Sequence, residues 1–300
     1  MAEDALLPRA STWTSWLTAA RPATLTAALV PVLVGSAAAG RDGELRALVF
    51  VATLAAALFI QIGTNLANDL SDFERGADTP DRLGPPRVTQ SGLISPGQVR
   101  AATYISFGAA AIIGLYLVFV GGWPILAIGI ASIVAGLAYT GGPWPLGYHG
   151  LGDVFVFVFF GVVAVTGTYY LQTEEVTALA LAASLPVALT VTAILVVNNL
   201  RDIETDRPAG KMTLAVRLGD RATRWQYALL VGGAYVLLPS LVLAGASGWV
   251  WLPWLTLPLG LGLCRSVLAG SGGRALNPVL KQTARLHLAL GSLLALGLLL

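Results

Sequence analysis

Long apolar runs broken by short polar stretches recur from residue 22 to the last residue of the chain. Nine of them come near or exceed the roughly 20 residues that cross a bilayer as a helix. They span about 22–40, 45–68, 100–121, 123–139, 153–172, 177–198, 225–245, 248–268 and 282–300. The pattern predicts an all-α polytopic membrane protein with nine transmembrane helices in one bundle, rather than a soluble domain with one anchor.

The polar stretches give the bundle a direction, because loops on the cytoplasmic side carry the excess of Lys and Arg. With the N-terminus inside, the first outer loop holds Arg41 and Arg46, and the other outer loops hold no basic residue. The remaining sixteen Lys and Arg, from Arg9 to Arg285, all fall on the inner side. A wrong number of spans would scramble this alternation, so the reading is N-terminus inside, C-terminus outside, in the cell inner (cytoplasmic) membrane. Residues 1–20 are then a cytoplasmic N-terminal segment and 21–300 the bundle. The start, "MAEDALLPRASTW", is polar and acidic, and no cleavable signal peptide is expected there.

Composition reinforces the membrane reading. Hydrophobic residues make up 56% and charged residues 11%, against about 25% charged in an average soluble domain; mean hydropathy is +0.74. Cys264 is the only cysteine, which excludes an intrachain disulfide and argues against a Cys-based metal site; it reads as a small core residue. There is no P-loop, no His metal cluster and no nucleic-acid footprint, so the lipid bilayer is the expected macroscopic partner.

The acidic residues concentrate in two inner loops, about 69–99 and 199–224. The first follows an apolar run as "NLANDLSDFERGADTPDRLGPPRVTQSGLISP", the second as "NNLRDIETDRPAGKMTLAVRLG". Asn65, Asn68, Asp69 and Asp72 stand at i, i+3, i+4 and i+7, and Asn199, Asp202 and Asp206 at i, i+3 and i+7, so each set lies along one helix face. Two such faces at the cytoplasmic ends of apolar helices point to a shared site with something cationic between them. Oxygen donors with no His or Cys suit Mg²⁺, which takes one or two carboxylates plus substrate phosphates. Arg87, Arg201 and Lys211 are placed to bind phosphate oxygens alongside it. A cation transporter would use similar carboxylates, but transporters keep such sites near the bilayer midplane, and these lie at the inner ends of the runs. Tyr139, Tyr169 and Tyr170 are candidates for an aromatic wall against a carbocation. His149 is read as a loop histidine or an acid–base group, His287 as interfacial, and Glu174, Glu175 and Asp220 as solvated. "GGW" at 121–123 reads as a tight outer turn.

"NDLSDFERGAD" at 68–78 and "NNLRDIETD" at 198–206 resemble the two Asp-rich motifs of the UbiA superfamily of intramembrane aromatic prenyltransferases, a likeness covering essentially the whole chain. More narrowly, "NDLSDFERGADT", "YTGGPWPLGYHGLGD" at 139–153, "GTYYLQ" at 167–172 and "GKMTLAVRLG" at 210–219 are similar to the branch acting on 1,4-dihydroxy-2-naphthoate in menaquinone synthesis. The resemblance implies a nine-helix prenyltransferase domain with a lateral opening for a lipid tail and a cytoplasmic-side site for Mg²⁺, two ions bridging the diphosphate. It implies transfer of a polyprenyl group from prenyl diphosphate to 1,4-dihydroxy-2-naphthoate with loss of CO₂ and diphosphate, giving demethylmenaquinol; other aromatic acids of the 4-hydroxybenzoate or homogentisate type are the alternative acceptors. Carried over by position, Asn68, Asp72, Asp202 and Asp206 are the metal-binding and catalytic residues. Asn65, Asp78, Arg87, Tyr139, Asn199, Arg201 and Lys211 are then substrate-binding. Two departures stand out: Gly76 replaces a third Asp four positions after Asp72, with Asp78 two later, and Val88 follows Arg87 where relatives have proline.

Overall fold

The computed structural model describes residues 12–77 and 83–300, and every regular element among them is helical. In chain order these are α1 (Thr12–Ala20), α2 (Pro22–Arg41), α3 (Ala47–Glu74), α4 (Pro96–Ala138), a 3₁₀ turn (Leu146–His149), α5 (Gly152–Thr173), α6 (Ala178–Asp206), α7 (Leu214–Leu218), α8 (Asp220–Leu243), α9 (Gly248–Leu268) and α10 (Gly273–Leu299). All but α1 and α7 are long and apolar enough to cross a membrane, which makes eight. The expectation was nine runs; the third and fourth share α4. At 1.5 Å per residue its 43 residues would run about 64 Å, twice a hydrocarbon core of about 30 Å. Its helical geometry fails at Gly122, with φ 70° and ψ −158°, just before Pro124, so the expected turn at 121–123 is a sharp break inside one element.

α4 starts where its sequence dictates. Ser95 accepts from the Gln98 amide, Gln98 reaches back to the Ser95 amide, and Pro96 fills the first turn, whose N–H groups lack helical partners anyway. α6 runs through the middle of the bundle and is its most enclosed span, packed against α2, α5, α8 and α10. Val187, Val196, Val197 and Leu200 of α6 share one core with Val30 and Val34 of α2 and Leu286, Leu290 and Leu294 of α10. Outward faces remain apolar, as in Phe119 and Leu243, each 89% exposed, which is the surface lipid covers. Within α5, residues Val156–Val163 widen into a π-helix, a form that recurs at functional sites.

Both acidic segments prove more helical than expected. α3 continues through Asp69 and Asp72 to Glu74, and α6 through Asp202 to Asp206, so these residues sit on helices that outrun their apolar stretches rather than in loops. The end of α3 also explains Gly76. The Gly76 amide donates to Phe73 O at 3.0 Å and the Ala77 amide to Asp72 O at 2.9 Å, with Gly76 at φ 68°. This is the left-handed helix stop that glycine makes without strain, and an Asp there would be strained.

Other expectations are corrected. His287 is fully buried inside α10, with Nδ1 2.8 Å from Thr190 Oγ1 of α6; an interfacial position on the sequence becomes interior because α10 is an enclosed helix. Asp220 is exposed, as expected, but it also has a structural partner. It clamps the buried Arg224 through two 2.6 Å contacts, and Arg224 also donates to the carbonyls of Val267 and Ser271. Glu174 and Glu175 are exposed, as expected. Asp78 lies outside the described residues.

Candidate active site

A cavity of about 280 Å³ lies between α2, α3, α4, α5 and α6. Its mouth is polar. Asp72, Asn68 and Asn65 enter from α3, Arg87 and Lys211 from loops, Tyr139 and Thr140 from the end of α4, and Asn198 and Asn199 from α6.

Asp72 is 1% exposed, accepts hydrogen bonds from two groups and forms an ion pair with a third. Arg87 Nη2 lies 2.9 Å from Oδ2, the Tyr148 hydroxyl 2.9 Å from Oδ1, and Lys211 Nζ 3.9 Å from Oδ2. The same Lys211 Nζ is 3.9 Å from Asp206 Oδ1. Lys211 is therefore the cation between the two acidic helix faces, and it ties the end of α3 to the end of α6. Tyr148 is flanked by two cations, with Arg75 5.5 Å and Lys211 5.6 Å from its ring centroid.

The loop that carries Arg87 is fixed by a residue of unassigned role. Asp69, 2% exposed, accepts from the backbone amides of Val88 and Thr89 at 3.2 and 3.1 Å. Charge-assisted bonds of this kind are roughly twice as strong as neutral ones, and they aim Arg87 at Asp72. Asn68 Oδ1 accepts from Thr140 Oγ1 at 2.7 Å. Asn65 Nδ2 donates to Ala20 O and Thr24 Oγ1 at 3.0 and 2.9 Å, which pins the α1–α2 junction where Arg21 stands at φ 52°. Tyr139 follows the last residue of α4; burial, and then the charges of Asp153, Asp72 and Asp206, hold its phenol above its ordinary pKa.

Asp202 is placed differently. Both its oxygens accept from Arg201, at 2.7 and 2.6 Å. Arg201, 2% exposed, also donates to Asn198 Oδ1 and Asn277 Oδ1 at 2.8 and 2.9 Å, while Asn277 Nδ2 donates to Leu83 O at 2.9 Å. Arg201 is thus a clasp between α6, α10 and the loop before Arg87, and neither it nor Asp202 lines the cavity. A Cβ at Gly84 would sit 2.8 Å from Arg201 Nη2, so the loop passes this close only as glycine.

Sequence reasoning placed the aromatic wall only in part. Tyr139 lines the cavity. The Tyr169 hydroxyl donates to Asp42 Oδ2 and Tyr170 packs near Leu171 and Ile125, both towards the other end of α5. The rings at the cavity are Phe155, Phe159 and Phe160, the first just before the widened part of α5 and the other two inside it; an unbroken apolar run gave no signal of which ones face inward. His149 stacks on Trp144 with centroids 4.3 Å apart, its Nδ1 2.8 Å from Pro145 O. Asp69 is named on the α3 face in the sequence with its role open; Tyr148 is not singled out there, although it lies inside a stretch that carried the resemblance.

Residues 28–273 match the UbiA prenyltransferase family. The chain belongs to that family. The 1,4-dihydroxy-2-naphthoate octaprenyltransferase of Mycobacterium tuberculosis H37Rv is 42% identical over 276 residues, 91% of this chain and 92% of the relative. The protein so named in Escherichia coli K12 is 38% identical, covering 95% and 94%. A solved UbiA homolog from Archaeoglobus fulgidus, bound to GPP and Mg²⁺, has the same fold with a TM-score of 0.60 at 16% identity, over 93% of this chain and 99% of that one. The residues of this UbiA member fit a divalent cation on their own chemistry. The donors that line the mouth, Asp72 and the amides of Asn65, Asn68, Asn198 and Asn199, offer oxygens, the ligand type of Mg²⁺, which takes the rest of its shell from substrate phosphates and water. The charged residues that line the cavity are Arg21, Arg87, Lys211 and Asp72, cations for a diphosphate beside a carboxylate for a divalent cation.

Proposed function

We propose that the protein transfers a polyprenyl group from prenyl diphosphate to 1,4-dihydroxy-2-naphthoate in a Mg²⁺-dependent reaction, releasing diphosphate and CO₂ and forming demethylmenaquinol. The observation that carries this reading is the Asp72–Lys211–Asp206 bridge at the mouth of a cavity whose walls are otherwise largely apolar and aromatic; the names of the two relatives supply the acceptor.

Asn68, Asp72, Asp206 and Asp202 are the oxygens that would hold Mg²⁺, two ions on one diphosphate, with Asp202 sharing oxygens that also accept from Arg201. When bound, Mg²⁺ neutralises charge on the leaving diphosphate. Arg87 and Lys211 act on the same oxygens as fixed donors, needing little reorganisation as the C1–O bond breaks and its electron pair departs. Tyr139, Phe155, Phe159 and Phe160 surround the allylic cation with electron-rich faces, worth about 2 kcal/mol when desolvated, and keep water from capturing it. A ring carbon of the acceptor forms the new C–C bond, and the bond to its carboxylate breaks as CO₂ leaves, its electron pair restoring the aromatic ring. The break at Gly122 supports nine crossings, with the N-terminus inside, the C-terminus outside and the mouth facing the cytoplasm in the inner membrane.

The test is to supply purified protein with Mg²⁺, a prenyl diphosphate and a panel of aromatic acids, and to identify products by mass. The prenylated, decarboxylated naphthoate is expected; exclusive turnover of 4-hydroxybenzoate or homogentisate would replace the acceptor. Activity should vanish in excess EDTA after metal removal and return with Mg²⁺. Full turnover in EDTA would remove the metal from the proposal. For topology, single cysteines near Arg87 and Lys211 should label from the cytoplasmic side and one at Glu174 only from outside; the reverse pattern would overturn the placement.

A further inference from the structure

The inner face of α3 carries a second polar tier. Gln61, Thr64, Asn65, Asn68 and Asp72 all line the same cavity, at i, i+3, i+4, i+7 and i+11, one continuous helix face. The three nearest the mouth are engaged by Arg87, Tyr148, Thr140, Thr24 and Ala20. The two deeper ones are not. Gln61 is 6% and Thr64 9% exposed, and neither Gln61 Oε1 nor Thr64 Oγ1 has a hydrogen-bond partner among the described residues.

Thr64 is unusual among the threonines of these helices. Thr53, Thr103, Thr192 and Thr283, all buried, donate to the carbonyl four residues back, the ordinary way to satisfy a hydroxyl in a membrane helix. Thr64 makes no such bond; beside the cavity its Oγ1 is enclosed against Gly136, where a Cβ would lie 2.6 Å away. Polar atoms withheld from the chain inside a buried cavity are expensive unless a ligand meets them.

We propose that Gln61 and Thr64 form the subsite that holds the ring hydroxyls of the aromatic acceptor and so select a dihydroxylated ring; this rests on the function proposed above. A prenyl tail offers no hydrogen-bond donor, so it has no use for these oxygens, whereas aryl hydroxyls donate to both. The depth also fits. Thr64 lies about 12 Å and Gln61 about 16 Å along α3 from Asp72, which leaves space for the reacting carbon beside the diphosphate and for a flat bicyclic ring beyond it, against Phe155, Phe159 and Phe160. Gln61 and Thr64 act as positioning residues, fixing which ring carbon faces C1.

The experiment uses the full-length protein with Mg²⁺ and compares wild type with Gln61→Leu and Thr64→Val, near-isosteric changes that remove only the hydrogen-bonding atoms. KM for 1,4-dihydroxy-2-naphthoate should rise about 3- to 10-fold in each variant, the scale of one hydrogen bond, while KM for prenyl diphosphate stays within about twofold. With a monohydroxylated naphthoate as competing ligand, at least one variant should bind as well as wild type, because the hydroxyl it would have held is missing. Unchanged acceptor KM, or equal shifts in both KM values, overturns the subsite and leaves the enzyme reading intact. Wild type that makes no product from 1,4-dihydroxy-2-naphthoate overturns the enzyme reading and this proposal with it. Thermal unfolding of each variant checks its fold, and Gln61→Met replaces Gln61→Leu if the latter does not fold.

Discussion

The ends of α3 and α6 carry Asn and Asp at the same i, i+3, i+7 spacing, Asn65, Asn68 and Asp72 against Asn199, Asp202 and Asp206, yet they are wired in opposite ways. On α3, Asp72 faces the cavity, accepts from Arg87 and Tyr148 and pairs with Lys211, all from outside its own helix. On α6, Asp202 is matched oxygen for oxygen by its neighbour Arg201, and the last carboxylate, Asp206, is the one that reaches Lys211. Spacing places residues on a face; it does not say whether a carboxylate meets a ligand or a side chain. The contrast also separates two kinds of buried charge, one poised at a mouth and one inside a clasp, and only the second is tied directly to packing.

The largest effect should come from removing either carboxylate. Asp72→Ala and Asp202→Ala are each expected to lower kcat by at least about 10²-fold, the scale for one fixed electrostatic stabiliser, with the double variant little worse than the poorer single one, since both serve one cluster. Folded variants that kept wild-type turnover at saturating Mg²⁺ and prenyl diphosphate would end the assignment. Stability should then split the pair. Asp202→Ala leaves the Arg201 guanidinium buried without its carboxylate, on the order of 3–5 kcal/mol, read as a fall in thermal stability in detergent. Replacing both partners by apolar residues, Arg201→Met with Asp202→Leu, should restore much of that stability but not turnover; recovery of turnover would make the α6 pair purely structural. A smaller effect is expected from Tyr148→Phe, which removes one hydrogen bond from Asp72 at about 0.5–1.5 kcal/mol, a drop in kcat of up to about tenfold. The smallest is Asp220→Ala. It should turn over normally while unfolding at lower temperature through the loss of Arg224's partner, and a large loss of turnover would show that the α8 end couples to the site.

Much of this was legible because membrane physics writes in large letters. Twenty-residue apolar runs and one-sided arginines gave the spans, and paired Asn and Asp positions gave the mouth. The bend at Gly122 that joins two runs into α4 was visible only as a turn, because two apolar segments meeting at a glycine look alike whether the chain stops or bends. The helical extensions to Glu74 and Asp206 were hidden by polarity, since a helix leaving the membrane keeps its hydrogen bonds after its hydrophobicity ends. Phe155, Phe159 and Phe160 were illegible for a different reason. The π segment, which begins right after Phe155 and contains Phe159 and Phe160, changes the angular step per residue, so a period of 3.6 cannot relate their directions.

That same segment has a consequence for how substrate range is set. At Gly161 the backbone of α5 comes so close to α6 that a Cβ there would fall 2.1 Å from the Cβ of Ala188. The two helices therefore touch through glycine and alanine, and the wall bearing the three phenylalanines stands as near to α6 as the backbone permits. Gly161 is a spacer of zero thickness: the gauge of the tunnel is set on the outside of its wall, by an atom that is not there. Adding one methyl at position 161 would push the wall outwards without altering any surface a substrate touches. Variants that accept bulkier acceptors or differently shaped chains are accordingly to be sought at this helix contact as much as among the residues that line the tunnel.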